Sequence, residues 1–537
     1  MNSPGSGSST SGPVAPGRPA APDKGLRSSA LGLVDSLVIG VASTGPAYSI
    51  AATLGLVVAA VGFGAPAVVL LAFVPIFLAA LGYRELNRAE PDCGTSFIWV
   101  SRAFGPSWGW MAGWAIVACD VLVMSSLAQV TGQYTFLLFG AADIGTDANH
   151  PLVLLVGLVF LLGMTWLCVR GISVSAKLQT VLVAIETVML IVFAVVALVR
   201  VVGSHLAGDP LPGSVLPQLS WFNPFSIGSI SAVVTGTLLM VFIYWGWDSV
   251  LSVNEETTNR TITPGKAAVW ATVLLLAVYV LVTVAALSFA GIGDTGIGLT
   301  NPEHVDDVIG ALGTAVFGPG PVGSVLVHLL LLMVLTSAAA STQTTLLPTA
   351  RTTFSMAFHG ALPGIFGRVH PRWLTPTVST WAMGLVSAAL YAAMNFVSDG
   401  GMIYDAVEAC GVAIGFYYGL TALACAWLYR ADLTAGARAA LTRVLGPLLG
   451  GVLLLGAAVW TTITSFAADS SETTTSVAGV EIGNIFVLGV GGMLLGLPLM
   501  WWYRARHRDF FTGAAPARQL PTGPVAEEDG FSVWVRD

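Results

Sequence analysis

The sequence has very little charge for its length. Asp, Glu, Lys and Arg make up 9% of its 537 residues, whereas they make up about 25% of an ordinary soluble domain. A soluble chain of this length would fold as about three or four domains. Its 22 basic and 29 acidic side chains are too few to solvate the surfaces of those domains, so the composition excludes a soluble enzyme.

Cysteine and several ligand-binding motifs are also scarce. Five cysteines lie in apolar segments or in a loop that we place in the cytoplasm, so we expect reduced packing residues and no disulfide framework. They are Cys93, Cys119, Cys168, Cys410 and Cys425. No CxxC pair or Cys/His cluster offers metal ligands, no phosphate-binding loop offers a nucleotide site, and no window combines clustered basic residues with aromatics. We therefore expect no metal, no cofactor and no nucleic-acid partner, and an ATP-driven pump is disfavoured.

Long apolar runs dominate the rest of the chain. Hydrophobic residues make up 55% of it, and the mean hydropathy is +0.80. Counting about 20 residues for each crossing of a bilayer, we predict an all-α polytopic membrane protein with twelve transmembrane helices. Their predicted bounds are 31–60, 65–88, 107–139, 151–169, 173–202, 227–256, 266–291, 322–348, 376–397, 402–429, 443–468 and 482–503.

The distribution of Lys and Arg supports this count. Twelve crossings place both termini on one side of the membrane. With that side in the cytoplasm, 21 of the 22 Lys and Arg residues lie on the inner side or at inner helix ends, and only Arg200 lies outside, as the positive-inside rule predicts. We expect residues 1–30 to form a flexible cytoplasmic tail, because their Ser-, Gly- and Pro-rich composition cannot bury a core. Residues 504–537 are expected to form a cytoplasmic C-terminal tail.

Two predicted crossings contain helix-breaking residues at membrane depth. The first carries Gly40–Pro46 in its middle, and the sixth carries Tyr244–Ser249, where a glycine lies beside a carboxylate. A simple kink is the alternative for either segment alone. Their placement favours two breaks, because one opens helices 1 to 5 and the other opens helices 6 to 10, as in transporters built from inverted repeats. This pattern predicts two five-helix repeats, at 31–203 and 227–430, and peripheral helices 11 and 12 at 443–503.

Four stretches of the chain resemble the amino acid-polyamine-organocation superfamily of permeases. They are GVASTGPAYSIAATLG (40–55), GTSFIWVSRAFGPSWGWMAGW (94–114), FIYWGWDSVLSVNEETTNRTITPGKA (242–267) and ARTTFSMAFHGALPGIFGRV (350–369). They occur in the family's order, and the resemblance runs from about residue 31 to residue 430. It implies a LeuT-like five-plus-five inverted repeat with two extra helices, and the function of a secondary carrier of amino acids or related amines.

The resemblance also implies where the substrate binds. Backbone amides at the first break would hold its carboxylate, carbonyls at the second would hold its ammonium, and an aromatic lid would cover it. The corresponding residues are Ser43, Thr44 and Gly45, then Trp245, Gly246 and Trp247, with Phe242 as the lid. Unpaired amides at a half-helix N-terminus do bind anions. For Phe242, packing against lipid or the core is the alternative.

The chain departs from the family pattern at two positions, one at the first break and one on helix 5. Ser43, Thr44 and Gly45 replace two glycines around a serine, so the substrate class cannot be transferred by resemblance. Many relatives have a helix 5 lysine where sodium binds in ion-coupled cousins, and that position corresponds to Glu186 here.

Ionisable side chains deep in the predicted helices need a reason, because each costs roughly 2.5–3.5 kcal/mol there. They are Asp120, Glu186, Asp248, His328, Asp405 and Glu408, with no Lys or Arg at comparable depth. We expect a proton, a sodium ion or a substrate amine to supply the missing positive charge. Asp248 leads as the proton-coupling and amine-binding residue, with helix capping as its alternative. Glu186 is the second candidate for proton coupling, and the alternative is that it is a permanently protonated structural glutamate. Asp120 is balanced between a site role and a scaffold role.

The other three deep groups have simpler explanations. Asp405 and Glu408 lie near the outer end of helix 10, where solvation explains them, and a lone His328 is best explained as a packing residue.

Two further sets of residues could serve the transport cycle. Ser341 and Thr342 on helix 8 would suit a sodium site, although hydroxyls on membrane helices more often bond the preceding carbonyl. Charged residues at inner helix ends could pair to form an inner gate, with plain topology anchoring as the alternative. These are Glu255, Glu256, Arg260, Arg351 and Arg368.

Taken together, the residues and the resemblance predict a secondary active transporter in the bilayer of the cytoplasmic membrane. It would import an amino acid by alternating access, coupled to protons in preference to sodium. A carrier of polyamines or other cationic amines, and an amino acid exchanger, stay open as alternatives. A channel and a membrane sensor are disfavoured, and so is a membrane enzyme, because no nucleophile lies with a base or a metal cluster.

Overall fold

Helices account for nearly all regular structure in residues 24–302, 308–398 and 401–512, which this computed structural model describes. In chain order they are α1 (Leu33–Thr44), α2 (Pro46–Val61), α3 (Ala65–Ala89), α4 (Ser96–Phe104), α5 (Pro106–Leu138), α6 (Ala142–Gly145), α7 (Pro151–Arg170), α8 (Ile172–Leu206), α9 (Ile230–Ile243), α10 (Ser249–Ser252), α11 (Thr263–Ala290), α12 (Val308–Phe317), α13 (Pro321–Phe358), α14 (Thr377–Ser398), α15 (Gly401–Leu428), α16 (Ala437–Ala439), α17 (Gly446–Thr464), α18 (Asn484–Phe486), α19 (Gly492–Leu494), α20 (Gly496–Arg506) and α21 (Arg508–Phe511). The segments Ala440–Leu445 and Val487–Gly491 are π-helical. Two short strands, β1 (Thr474–Val477) and β2 (Val480–Gly483), form one hairpin.

The described chain is an all-helical polytopic membrane protein. Ten of its helical segments are long and apolar enough to cross a membrane, and the first of them, Leu33–Ala89, spans 57 residues that include α1, α2 and α3. The broken sixth helix contributes the shorter apolar segment Ile230–Ile243. Large apolar side chains remain exposed on the outer faces of the helices, such as Val159 at 62%, as a hydrocarbon environment allows.

The first predicted helix is broken at Gly45. This residue has φ 51° and ψ 63°, and it separates α1 from α2. Gly45 adopts the left-handed conformation at little cost because it has no Cβ. Pro46 has no N–H to donate back to α1, so the helical hydrogen bonds stop there.

The sixth predicted helix is also broken. α9 ends at Ile243, residues 244–248 form turns, and α10 resumes as a single turn at Ser249. Gly246 has φ 110°, a value that side-chain-bearing residues rarely adopt. The Tyr279 hydroxyl donates to the carbonyl of Ile243 at 2.6 Å, so a freed carbonyl of α9 is satisfied inside the protein.

One end of the bundle carries both ends of the described chain. The Lys24 ammonium lies 2.7 Å from Asp92, and the ring of Phe510 stacks on that of Phe97 with the ring centroids 5.5 Å apart. We call the surface at this end that is formed by residues 90–107, 254–260 and 351–370 the terminal face.

Several local elements differ from the sequence prediction. Residues 24–30 pack against the terminal face, although their composition predicts a flexible tail; the residues before them lie outside the described part. The segment before helix 3 contains the separate helix α4, and the loop predicted at 292–321 contains α12. The loop predicted at 469–481 contains the β1–β2 hairpin, in which Ala478 and Gly479 both have positive φ, as a two-residue hairpin turn requires.

Candidate substrate and coupling site

The two helix breaks touch each other through their backbones. A Cβ placed on Gly246 would lie 2.7 Å from the carbonyl oxygen of Ser43 and 3.0 Å from the amide nitrogen of Thr44. The hydroxyls of Ser43 and Ser249 lie 2.6 Å apart. The structure therefore brings together two segments that are about 200 residues apart in the sequence, and glycine is what lets them approach this closely.

Glu186 lies at the first break, on the N-terminal end of α2. It comes from α8, is fully buried, and its Oε1 accepts from the amide of Ala47 at 2.7 Å and from the hydroxyl of Ser337 at 2.6 Å. The Tyr48 amide donates to the same Ser337 hydroxyl at 3.3 Å. The first amides of a helix carry partial positive charge, so a carboxylate is favourable there. The other carboxyl oxygen, Oε2, has no hydrogen-bond partner among the described residues.

Asp248 lies at the second break and is held by α15. Its side chain accepts from the Tyr418 hydroxyl at 2.6 Å, and that hydroxyl accepts from the Gly246 amide at 3.2 Å. The indole N–H of Trp245 donates to the neighbouring Tyr417 hydroxyl at 2.6 Å. Neither tyrosine was predicted from the sequence, because nothing in their spacing along helix 10 indicates a contact with helix 6.

Aromatic rings enclose this second break. Trp247 is fully buried, and its ring centroid lies 5.1 Å from that of Tyr83 and 5.1 Å from that of Tyr418. Its indole N–H has no hydrogen-bond partner among the described residues. Phe242 is half-buried at the edge of the core, one residue before α9 ends.

Asp120 is a third buried carboxylate in the interior. It lies on α5, is 1% exposed, and accepts from the Thr349 hydroxyl of α13 at 2.6 Å. Asp120, Glu186 and Asp248 thus all bond to neutral donors. In the part of the chain that the structure describes, none of the three forms an ion pair.

The two helix 8 hydroxyls behave differently. Ser341 donates across to the carbonyl of Ser43 at 3.0 Å, beside the first break. Thr342 donates to the carbonyl of Ala338 in its own helix at 2.9 Å. Only Ser341 therefore faces a helix 1 carbonyl.

The deep groups near the outer end lie away from the breaks. Asp405 is buried, so the solvation predicted for it is wrong; it accepts from the amides of Glu472 at 2.8 Å and Thr473 at 3.0 Å and anchors the hairpin segment. Glu408 is exposed. His328 is also exposed, so the prediction of a packing residue is wrong for it, and its Nδ1 lies 2.7 Å from the carbonyl of Ser324 in the preceding turn.

Some of the charged residues at the terminal face are paired. Arg351 forms a buried ion pair with Glu256 at 2.6 Å, and Glu255 pairs with Lys24 at 2.8 Å. Within the described ranges, Arg260 and Arg368 form no ion pair. Lys24 was missed from the sequence, because the surrounding tail composition carries no signal of burial.

An all-helical membrane protein whose two broken helices meet beside buried carboxylates has the construction of secondary transporters. The comparisons with known proteins agree. The family model described as amino acid permease matches residues 28–493, so the chain belongs to the amino acid permease family, within the amino acid-polyamine-organocation superfamily. It is a transporter of amino acids or related solutes and not an enzyme.

Curated relatives and a solved structure show where the similarity lies. The chain is 24% identical to the methylthioribose transporter of Bacillus subtilis (strain 168), over 63% of this chain and 69% of that one. It is 26% identical to the branched-chain amino acid permease BcaP of the same strain, over 67% and 74%. It is 27% identical to the vacuolar cationic amino acid transporter 2 of Arabidopsis thaliana, over 62% and 50%. A crystal structure of MhsT in complex with L-phenylalanine matches with a TM-score of 0.53 and 17% identity, over 79% of this chain and 98% of that chain. That likeness shows a shared LeuT-type fold.

Proposed function

We propose that this permease imports an amino acid across the cytoplasmic membrane by alternating access and that protons drive the import. Its chain would cross the membrane twelve times, as a five-plus-five inverted repeat with two peripheral helices, and both termini would lie in the cytoplasm. The observation that carries the proposal is the backbone contact between Gly246 and Ser43, which joins the two helix breaks at one point.

The proposed substrate position is the space around this contact. Ser43, Thr44 and Gly45 would meet the substrate carboxylate, Trp245, Gly246, Trp247 and Asp248 would meet its ammonium, and Phe242 would close over it. The Gly45 amide bonds to the carbonyl of Ala42 at 3.1 Å in the present conformation. Binding of a carboxylate there would therefore have to replace that bond, which a left-handed Gly45 can allow by a small backbone rotation.

The proposed coupling groups are Glu186 and Asp248, with Asp120 as a further candidate. Burial favours the neutral form of a carboxyl group, and each of these groups lacks a charged partner in the described structure. Glu186 links the start of α2 to α13 through Ala47 and Ser337. Adding or removing its proton would change a bond between two helices that must separate during the cycle, and so would couple the proton to the conformation.

A cationic amine is the second candidate substrate. The three carboxylates without an ion-pair partner in the described residues favour a solute that carries more positive than negative charge. The amino acid remains our leading proposal, because the chain belongs to the amino acid permease family and a branched-chain amino acid permease is among the relatives that it resembles.

The test is uptake into proteoliposomes of radiolabelled amino acids and of the amines made by removing their carboxylates. Proton and sodium gradients are imposed separately. We expect concentrative uptake of an amino acid under the proton gradient. It should be lost in Asp248→Asn and kept in the control Asp143→Asn, which changes an exposed aspartate of the short helix α6. Uptake of the amines alone would favour the second candidate, and uptake without accumulation under either gradient would contradict proton-driven import.

A further inference from the structure

A lysine from the N-terminal segment is buried in the terminal face. The side chain of Lys24 is 2% exposed, and its ammonium lies 2.7 Å from Asp92 Oδ1 and 2.8 Å from Glu255 Oε1. It also donates to the Ser355 hydroxyl at 3.4 Å and lies 5.4 Å from the ring centroid of Phe358. A lysine is almost never buried this far without paired charge, so these contacts are specific.

The pocket that receives Lys24 comes from three separate parts of the chain. Asp92 lies between α3 and α4, Glu255 follows α10, and Ser355 belongs to α13. The pocket is held in shape by its own bonds: Ser355 donates to Asp92 Oδ1 at 2.7 Å, and the Cys93 amide donates to Glu255 Oε1 at 2.9 Å. His359 Nε2 lies 3.1 Å from Asp92 Oδ2.

Two carboxylates this close need a cation between them. Asp92, Cys93 and Glu255 each place one possible ligand atom within 4.8 Å of the others. The Lys24 ammonium occupies that position, so it acts as a cation attached to the chain. Like charges left unpaired in a buried pocket would repel each other and lose solvation.

The electrostatics of the pair support a contact that holds at neutral pH. Burial by itself would raise the pKa of the Asp92 carboxyl, but the Lys24 ammonium and His359 hold that pKa well below its usual value of 3.8. Burial would lower the pKa of Lys24, but Asp92 and the neighbouring Cys93 and Glu255 raise it above its usual value of 10.5. Because the pKa of Asp92 is lowered, its ionised form stabilises the folded protein at pH values above 3.8. Because the pKa of Lys24 is raised, its charged form stabilises the folded protein at pH values below 10.5. The contribution of the pair is therefore present throughout the range between those two values.

The segment after Lys24 is also attached along its length. Leu26 is buried against Cys93 and Phe354. The amides of Ala30 and Leu31 both donate to the carbonyl of Glu256, at 2.7 Å and 3.1 Å, and the Thr258 amide donates back to the carbonyl of Leu31 at 2.9 Å. α1 begins two residues later, and its other end is the first helix break. Any movement of α1 away from α13 therefore pulls on these contacts.

We infer that residues 24–31 form a latch that holds the terminal face closed, with Lys24 as the attached cation that locks it. In each transport cycle, Lys24 would leave the Asp92 and Glu255 pocket before α1 can move and open the site on this side. The inference rests on the proposed function for its role in transport, whereas the contacts themselves can be tested without any transport.

Cys93 provides a native reporter of the latch. It is fully buried and contacts both Leu26 and Lys24, so opening of the latch would uncover it to a thiol reagent. The experiment measures the rate at which N-ethylmaleimide alkylates Cys93 in the full-length purified protein, with the modified peptide identified by mass spectrometry. We expect Lys24→Met to raise this rate at least tenfold.

Two controls distinguish opening of the latch from a general loss of stability of the protein. Arg27→Ala changes an exposed residue of the same segment that donates to Ser173, and we expect it to leave the rate within twofold of wild type. Combining Lys24→Met with Asp92→Asn and Glu255→Gln removes the unpaired charges, so we expect the rate to return toward wild type. An unchanged rate in Lys24→Met would overturn the inference. If Lys24→Met does not fold, Glu255→Gln replaces it, and a rate equal to that of Arg27→Ala would overturn the inference in the same way.

A flux measurement on the same variants separates this inference from the proposed function. In proteoliposomes, Lys24→Met should accumulate less solute than wild type while exchanging it at least as fast, because the terminal face opens more readily. Raised Cys93 alkylation with no transport in any protein, wild type included, would support the latch and contradict the transporter proposal. Transport by the wild-type protein, with unchanged Cys93 alkylation in Lys24→Met, would support the transporter proposal and contradict the latch.

Discussion

Replacing Gly246 with alanine tests the contact between the two helix breaks most sharply. The added Cβ would lie 2.7 Å from the carbonyl oxygen of Ser43 and 2.8 Å from its carbonyl carbon. Both are backbone atoms of the other broken helix, so neither can rotate away as the end of a flexible side chain could. We expect the Gly246→Ala variant to push the two breaks apart.

The size of the effect follows from two contributions. A side-chain-bearing residue held at an unfavourable positive φ costs about 1–3 kcal/mol, and Gly246 has φ 110°. Forcing an extra methyl group into a packed interior costs about 1–3 kcal/mol more. The variant should therefore be less stable than wild type by about 2–6 kcal/mol, and its substrate site should be displaced.

The assay compares melting temperature in detergent and uptake in proteoliposomes with those of Gly163→Ala. Gly163 lies inside α7, and a Cβ there would meet no atom within 4 Å. We expect Gly163→Ala to melt and transport like wild type, and Gly246→Ala to melt earlier and lose uptake. If the two variants behave alike, the close backbone approach is not what the two breaks depend on, and the reasoning is refuted.

Three further results follow from the contacts described above. Glu186→Gln keeps an acceptor for Ala47 and Ser337, so it should fold normally but make uptake insensitive to the proton gradient; unchanged gradient dependence would remove Glu186 from coupling. Arg351→Met should destabilise the protein by about 3–5 kcal/mol in thermal unfolding, because it leaves Glu256 buried without its partner, and adding Glu256→Met should recover most of the loss; equal stability of the single and double variants would contradict this. Asp405→Ala should expose the hairpin segment to protease while uptake is preserved, because Asp405 accepts from the amides of Glu472 and Thr473 and from the Thr473 hydroxyl; unchanged proteolysis would show that Asp405 does not anchor the hairpin.

The helix breaks were predictable from the sequence because their signals are local. Gly45 followed by Pro46 stops helical hydrogen bonding wherever the chain goes, and Gly246 beside Asp248 at membrane depth gives a second such signal. The long apolar runs likewise predict most helices, since a bilayer admits few other structures.

The partners of the buried carboxylates were not predictable in the same way. Ala47 and Ser337, which hold Glu186, lie 139 and 151 residues from it, and no pattern in one sequence links positions so far apart. Tyr418 reaches Asp248 across 170 residues. The β1–β2 hairpin was missed because four-residue strands are too short for alternation to stand out.

The burial of Lys24 was not predictable because the local composition gives the wrong signal. Its neighbours are Gly, Pro, Ala and Ser, a composition that predicts a flexible tail. What holds the residue in place is a pair of carboxylates 68 and 231 residues away in the chain. Tertiary charge pairing therefore overrides the local composition from Lys24 onward.

Proton movement during transport tests the central proposal most directly. Proteoliposomes loaded with a pH-sensitive dye receive an amino acid that the protein transports, with no proton gradient imposed beforehand. We predict that the lumen acidifies as the amino acid enters, and that Asp248→Asn abolishes this acidification. Entry of the amino acid with no change in lumenal pH, in the wild-type protein, would contradict proton-coupled import.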